Sequence, residues 1–113
     1  MKKIKGSKWI KGGGYRKKII LEKLRGDINL VEEAIIEPGG EIPIHRHKFT
    51  KEIFLIAENS AIMVVGNKKS KVKSGDMIQV DKGEKHGFIN KNKKEFKLIV
   101  FKIGFRQGDS YLK

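Results

Sequence analysis

The stretch GGEIPIHRHKFTKE, residues 39–52, decides how the rest of the chain is read. It sets His45 and His47 two positions apart, so on an extended backbone both imidazoles point to the same side and can reach one ion. Glu52 follows five residues after His47, far enough for the chain to return on an adjoining run and bring a carboxylate to the same point. The third histidine, His86, lies in a second glycine-punctuated stretch, GDMIQVDKGEKHGFIN, residues 75–90, and arrives from a later strand. Three neutral imidazoles and one carboxylate form a shell suited to Fe, Mn, Co, Ni, Cu or Zn, and less to Ca or Mg. Two positions of an octahedral ion stay open for substrate. Taken singly these residues say little, because a lone histidine is more often a surface or hydrogen-bonded group than a ligand. The surrounding frame carries the case.

Outward from these stretches, short β-like runs alternate with turn residues. Tyr15 to Leu24 and Ile28 to Ile36 are rich in Ile, Leu and Val, and Arg25-Gly26-Asp27 between them has the chemistry of a hairpin turn. Strands are also expected over 51–57, 61–65, 69–73, 77–80, 87–90 and 97–105, with turns at Glu58-Asn59, Gly66-Asn67, Ser74-Gly75-Asp76 and 81–84. About eight or nine strands so regularly spaced predict an all-β sandwich or barrel. Helical periodicity is weak everywhere, residues 17–25 being its best candidate. In the last run Ile99, Phe101, Ile103 and Phe105 share one phase and Leu98 and Val100 the other, so both faces are apolar and the outer one needs a cover. A second subunit is the simplest cover, and the segment around Trp9 and Ile10 competes with it.

On these residues the sequence resembles the cupin superfamily. The first motif of that family maps onto Gly39, His45, His47, Glu52 and Asn59, failing only at its last glycine. The second maps onto Gly75, Asp81, Gly83, His86 and Asn90, failing only at its proline. Asn59 is the non-glycine residue that best tolerates a left-handed backbone, and Asp81 can open a turn whose third residue is Gly83. The resemblance covers residues 39–90 and implies a double-stranded β-helix, or jelly-roll barrel, often paired into a homodimer. It also implies one divalent transition metal in the mouth of the barrel, on His45, His47, Glu52 and His86. Residues 1–113 are then one domain, with residues 1–14 a short arm or edge strand.

Composition bounds the rest. At 113 residues the chain is too short for two independent cores. It has no cysteine, so disulfides, thiolate metal sites and cysteine nucleophiles are excluded. The apolar runs reach strand length only, far below the ~20 residues a membrane helix needs. No apolar signal core follows the basic start, and the expected location is the cytoplasm. The net charge of +13 favours anionic partners. Its lysines are spread along the whole chain with no nucleic-acid-binding signature, so a solvated basic surface is preferred to a nucleic-acid interface. Gly12-Gly13-Gly14 lacks the Lys-Ser or Lys-Thr of a phosphate loop, and no serine has a nucleophile-elbow context.

The expected function is that of a metal-dependent enzyme on a small anionic substrate, of the dioxygenase or the sugar isomerase or epimerase type. A non-catalytic module binding metal or sugar in the same pocket is the alternative. No catalytic acid or base is assigned, although Glu32, Glu33 and Lys102 are possibilities.

Overall fold

In the computed structural model of the protein, which describes residues 1–112, all regular structure is β. Lys113, the last residue of the expected domain, lies outside the described residues. Eleven strands run in chain order: β1 (Ile10–Lys11), β2 (Tyr15–Glu22), β3 (Ile28–Ile36), β4 (Glu41–Arg46), β5 (Lys51–Glu58), β6 (Ser60–Val65), β7 (Lys68–Lys73), β8 (Met77–Val80), β9 (His86–Ile89), β10 (Phe96–Ile103) and β11 (Tyr111–Leu112). They form two antiparallel sheets, β1-β2-β3-β10-β5-β8 and β11-β4-β9-β6-β7. Consecutive strands repeatedly cross from one sheet to the other, and the apolar faces of both sheets meet between them.

The eight expected strands are all present; half of their ends coincide with the expected ones and the rest differ by one or two residues. The strand begun at Tyr15 stops at Glu22 because Lys23 takes a left-handed φ of 56° and opens the turn. β4 and the two-residue β11 were not among the expected strands, while β1 lies at the edge of its sheet within the segment 1–14 expected as an arm or edge strand. Residues 17–22, part of the best helical candidate, lie in β2, whose pairing with β3 satisfies their backbone groups. Asn59 has a φ of 64°, the left-handed conformation that its place in a glycine position requires. Asp81 accepts a bond from the Glu84 N–H around Gly83, which closes the expected turn.

The core follows from strand alternation. Along β10, Phe96, Leu98, Val100 and Lys102 face inward, while Ile99, Phe101 and Ile103 face out. Phe54, Phe88 and Phe96 run through the interior as a chain of rings, with centroids 5.2 Å and 5.9 Å apart. The amino-terminal arm lies against β2: the Ser7 N–H bonds the Ile19 carbonyl, and Trp9 is flanked by Arg16 and Lys18. Ile53, Leu55, Ile99 and Phe101 on the outer face stay half-exposed, and Met77 is 64% exposed. Among the described residues no helix is long and apolar enough to cross a membrane.

Candidate metal centre

His45, His47, Glu52 and His86 come together between the two sheets. One ligand atom from each lies within 4.8 Å of those of the others. The imidazole centroids stand 4.4 to 5.4 Å apart. His86 sits on β9 directly opposite His45 on β4, Glu52 is near the start of β5, and His47 follows β4 in the connecting loop.

His45 reaches the interior through a break in alternation. Ile42 on β4 faces the core, so regular pleating would turn Ile44 inward and His45 out to solvent. Instead the ladder pairs Ile42 with Phe88 and His45 with His86, so three steps on β4 match two on β9. This bulge exposes Ile44 and reverses the phase of His45. Pro43 occupies the bulge, where a missing N–H does no harm. Gly87 makes it possible: a Cβ there would stand 2.8 Å from the Ile42 carbonyl oxygen.

Each imidazole is oriented by a backbone carbonyl at Nδ1. His45 bonds Pro43, His86 bonds Glu84 at 3.0 Å, and His47 bonds Asp109. Nδ1 then carries the proton and Nε2 presents its lone pair to the centre, the arrangement that metal-binding histidines adopt. His47 Nε2 and His86 Nε2 lie 2.9 Å and 2.8 Å from Glu52 Oε1. These approaches lie off the hydrogen-bond direction, so all three atoms are buried without a partner. Buried polar atoms are seldom left so. A transition-metal ion would satisfy all of them at once, and the residues present fit one.

The electrostatics agree. Burial holds the His45 imidazole down to about 4, so it is neutral near pH 7, as a ligand must be. Burial also works against charge on Glu52, but the adjoining His47 and His86 outweigh it and hold the carboxyl well below the usual range. For His47, burial opposes the imidazolium, while Glu52 and the Asp109 carbonyl raise its affinity for a proton. That proton competes with a metal for Nε2.

The residue that sequence reasoning missed is Asp109. Its carboxylate accepts the N–H groups of Lys48 and Phe49 and the hydroxyl of Thr50, at 2.8 to 2.9 Å, while its carbonyl orients His47. It thereby fixes the loop that spaces His47 from Glu52. The following strand, β11, pairs with β4 and anchors this clamp. Asp109→Ala should lower stability by about 2–4 kcal/mol in urea unfolding and weaken metal affinity about tenfold in a chelator competition. The three hydrogen bonds overcome burial and hold the Asp109 carboxyl below its ordinary 3.8. Its contribution is therefore full above that value and lost as pH falls through the lower, folded one. The variant should show a shallower acid limb below about pH 4.

The other candidates separate. Lys102 and Glu32 face the interior as an ion pair of 3.0 Å, and both are buried. Glu33 lies on the opposite face of β3, 3.5 Å from Lys97, and points away from the centre.

Comparison with known proteins agrees with this geometry. Over 58 residues, 51% of this chain, it is 34% identical to an uncharacterized protein, MJ1618, of Methanocaldococcus jannaschii. That match spans 46% of the relative, about half its length. A predicted oxalate decarboxylase of Thermotoga maritima has a similar fold, with a TM-score of 0.79 and 19% identity over 89% of this chain and 95% of that one. So has a Klebsiella pneumoniae protein described by its double-stranded β-helix domain, with a TM-score of 0.79 and 21% identity over 92% and 89%. Residues 32–102, from Glu32 to Lys102 and so including all four converging side chains, match the Cupin domain family, and the chain belongs to it.

Proposed function

We propose that this chain is a cytoplasmic, metal-dependent enzyme acting on a small anionic substrate, with His45, His47, Glu52 and His86 holding one divalent transition metal. The observation that carries the reading is the set of buried, unpartnered atoms on His47, His86 and Glu52, all aimed at one point. A metal held there would supply Lewis-acid polarisation of a bound carbonyl or hydroxyl, or oxygen activation if it is iron. The chain's own part is orientation, with three carbonyls fixing the imidazoles and Asp109 fixing the loop. Dioxygenase and sugar isomerase or epimerase chemistries both suit such a centre. The excess of 26 Lys and Arg over 13 Asp and Glu supports an anionic substrate. The Thermotoga neighbour, described as acting on a dicarboxylate, is in keeping with one. A second copy of the chain is the cover we propose for the half-exposed outer face of β5 and β10.

The test is a screen of 2-oxo acids, dicarboxylates and sugar phosphates against metal-free protein reloaded with each candidate ion. Turnover abolished by a chelator and restored by one particular metal is the expected result. Tight binding of metal or sugar without turnover would point to the non-catalytic alternative. Metal-independent retention on DNA that falls steeply with salt would point to a nucleic-acid partner.

A further inference from the structure

The fold gathers on one surface lysines that the sequence scatters. Val72 of β7 is 4% exposed and faces the core, so its neighbours Lys71 and Lys73 stand on the outer face, opposite Ile62 and Ser60 of β6. β9 flanks β6 on its other side, and the loop that follows it carries Lys91, Lys93 and Lys94. β6 is thus a floor with lysines on both sides.

Two adjoining cavities open over this floor, of about 470 Å³ and about 290 Å³. Both are lined by Ser60, Lys71 and Asn92, so together they make one trough. Lys73, Lys93 and Lys94 line its larger part and Lys91 its smaller, and no carboxylate lines either. The trough stands apart from the metal centre. Val65 of β6 pairs with His86, whereas Ser60 begins that strand, roughly 16 Å away at the rise of an extended chain.

Hydrogen bonds fix the loop wall. Asn90 Nδ2 donates to the Lys94 carbonyl at 2.8 Å, and Asn90 Oδ1 accepts the Asn92 N–H at 2.9 Å. Asn92 Nδ2 in turn donates to the carbonyl and the hydroxyl of Ser60, at 2.6 Å and 3.0 Å. The Ser60 hydroxyl is therefore an acceptor here, and its own proton is left to donate at the floor of the trough.

The five lysines have no counter-charge. Among the described residues the lysine ion pairs are Lys97 with Glu33 and Lys102 with Glu32, and neither belongs to the trough. Of the acids nearby, Glu95 pairs with Arg16, and Asp76 accepts the Lys73 backbone N–H. Like charges on facing walls raise one another's energy, and an anion between them removes that cost.

The lining also selects the kind of anion. Cations on both walls along a trough match several negative charges in a row better than a single one. All five are lysines, point charges without the planar fork by which arginine reads an oxyanion's geometry. No aromatic side chain lines the trough, so a nucleic-acid base has nothing to stack on. We propose that the trough binds a short linear chain of phosphates, read by charge, with the Ser60 hydroxyl donating to a phosphate oxygen. Lys71 and Lys73 hold one flank of that chain, and Lys93 and Lys94 the other. A free oligophosphate and the triphosphate of a nucleotide share this chemistry. The site does not depend on the metal reading above.

The test is an NMR titration of the ¹⁵N-labelled full chain with sodium tripolyphosphate. The amides of Ser60, Asn92 and Lys93 should shift saturably, and affinity should fall roughly tenfold between about 50 and 200 mM salt. Inorganic phosphate should bind roughly tenfold more weakly, and ATP within roughly threefold of tripolyphosphate, because the base makes no contact. Replacing Lys71 and Lys93 together by Gln should weaken binding roughly tenfold, while Lys2→Gln with Lys3→Gln, which removes the same charge from the exposed amino terminus, should leave it unchanged. Equal losses in the two double variants would reduce the effect to general attraction by a basic surface and overturn the proposal. Shifts confined to the surroundings of His45 and His86, or inorganic phosphate binding as tightly as the chain, would overturn it too. ATP binding far more tightly than tripolyphosphate would replace it with a nucleotide site that reads the base. A single-stranded oligonucleotide preferred to both would overturn it in favour of a nucleic-acid partner.

Discussion

His47→Ala is expected to abolish stoichiometric metal binding and, with it, the dependence of thermal stability on metal. His47 is the one of the four converging residues held outside a strand, and its ring is oriented by Asp109 across the loop. Removing it leaves His45 and His86 on facing strands with Glu52, a set of three without the fourth direction that closes the shell. Any ligand that binds only the folded state stabilises it by mass action, about 2.7 kcal/mol when free metal stands at 100 times its dissociation constant. In a domain of this size that corresponds to roughly 10 °C in melting temperature. Wild type should therefore lose about that much on treatment with a chelator, while His47→Ala should melt at one temperature with or without it. A chelator response of equal size in both proteins would remove His47 from the ligand set.

The second large effect belongs to the core beneath the centre. Phe88 is 1% exposed and its ring stands between Phe54 and Phe96. Phe54 in turn packs against the His86 ring at 5.6 Å. Phe88→Ala removes most of a buried ring and leaves a void that the surrounding strands cannot close without breaking their ladders, so a loss of about 3–5 kcal/mol is expected. Against a total stability of about 5–15 kcal/mol that is a large share. Urea unfolding should show a lower midpoint with an unchanged slope, and the folded variant should still take up metal because no ligand is altered. Truncating the exposed Met77 should change stability by less than about 0.5 kcal/mol. Equal effects at the two positions would contradict the inward assignment of Phe88.

Much of the fold could be read from periodicity and turns because both are local. Apolar alternation marked eight strands, and Asn59 and Asp81 behave as turn residues should. The short strand β11 escaped notice because two residues carry no period. β4 escaped for a different reason: its bulge at Pro43 breaks the alternation by which a strand is recognised, and that same break turns His45 inward. A proline beside two histidines, opposite a glycine, was the available sign. All four residues expected at the centre meet there because the family motifs encode their spacing. Asp109 carried no such signal. It is 62 residues from the histidine it orients, and its role comes from topology, since β11 returns to pair with β4. The inward placement of Lys102 was open in the sequence for a similar reason: both phases of its strand are apolar, and only the register of β10 between β3 and β5 shows which one faces the centre.

Elemental analysis of untagged protein, purified without chelator near neutral pH, tests the central claim most directly. Close to one transition-metal ion per chain is the predicted result, falling below about one in ten chains in His47→Ala. A wild type that neither carries nor takes up a transition metal, or a His47→Ala protein with unchanged content, would contradict the account.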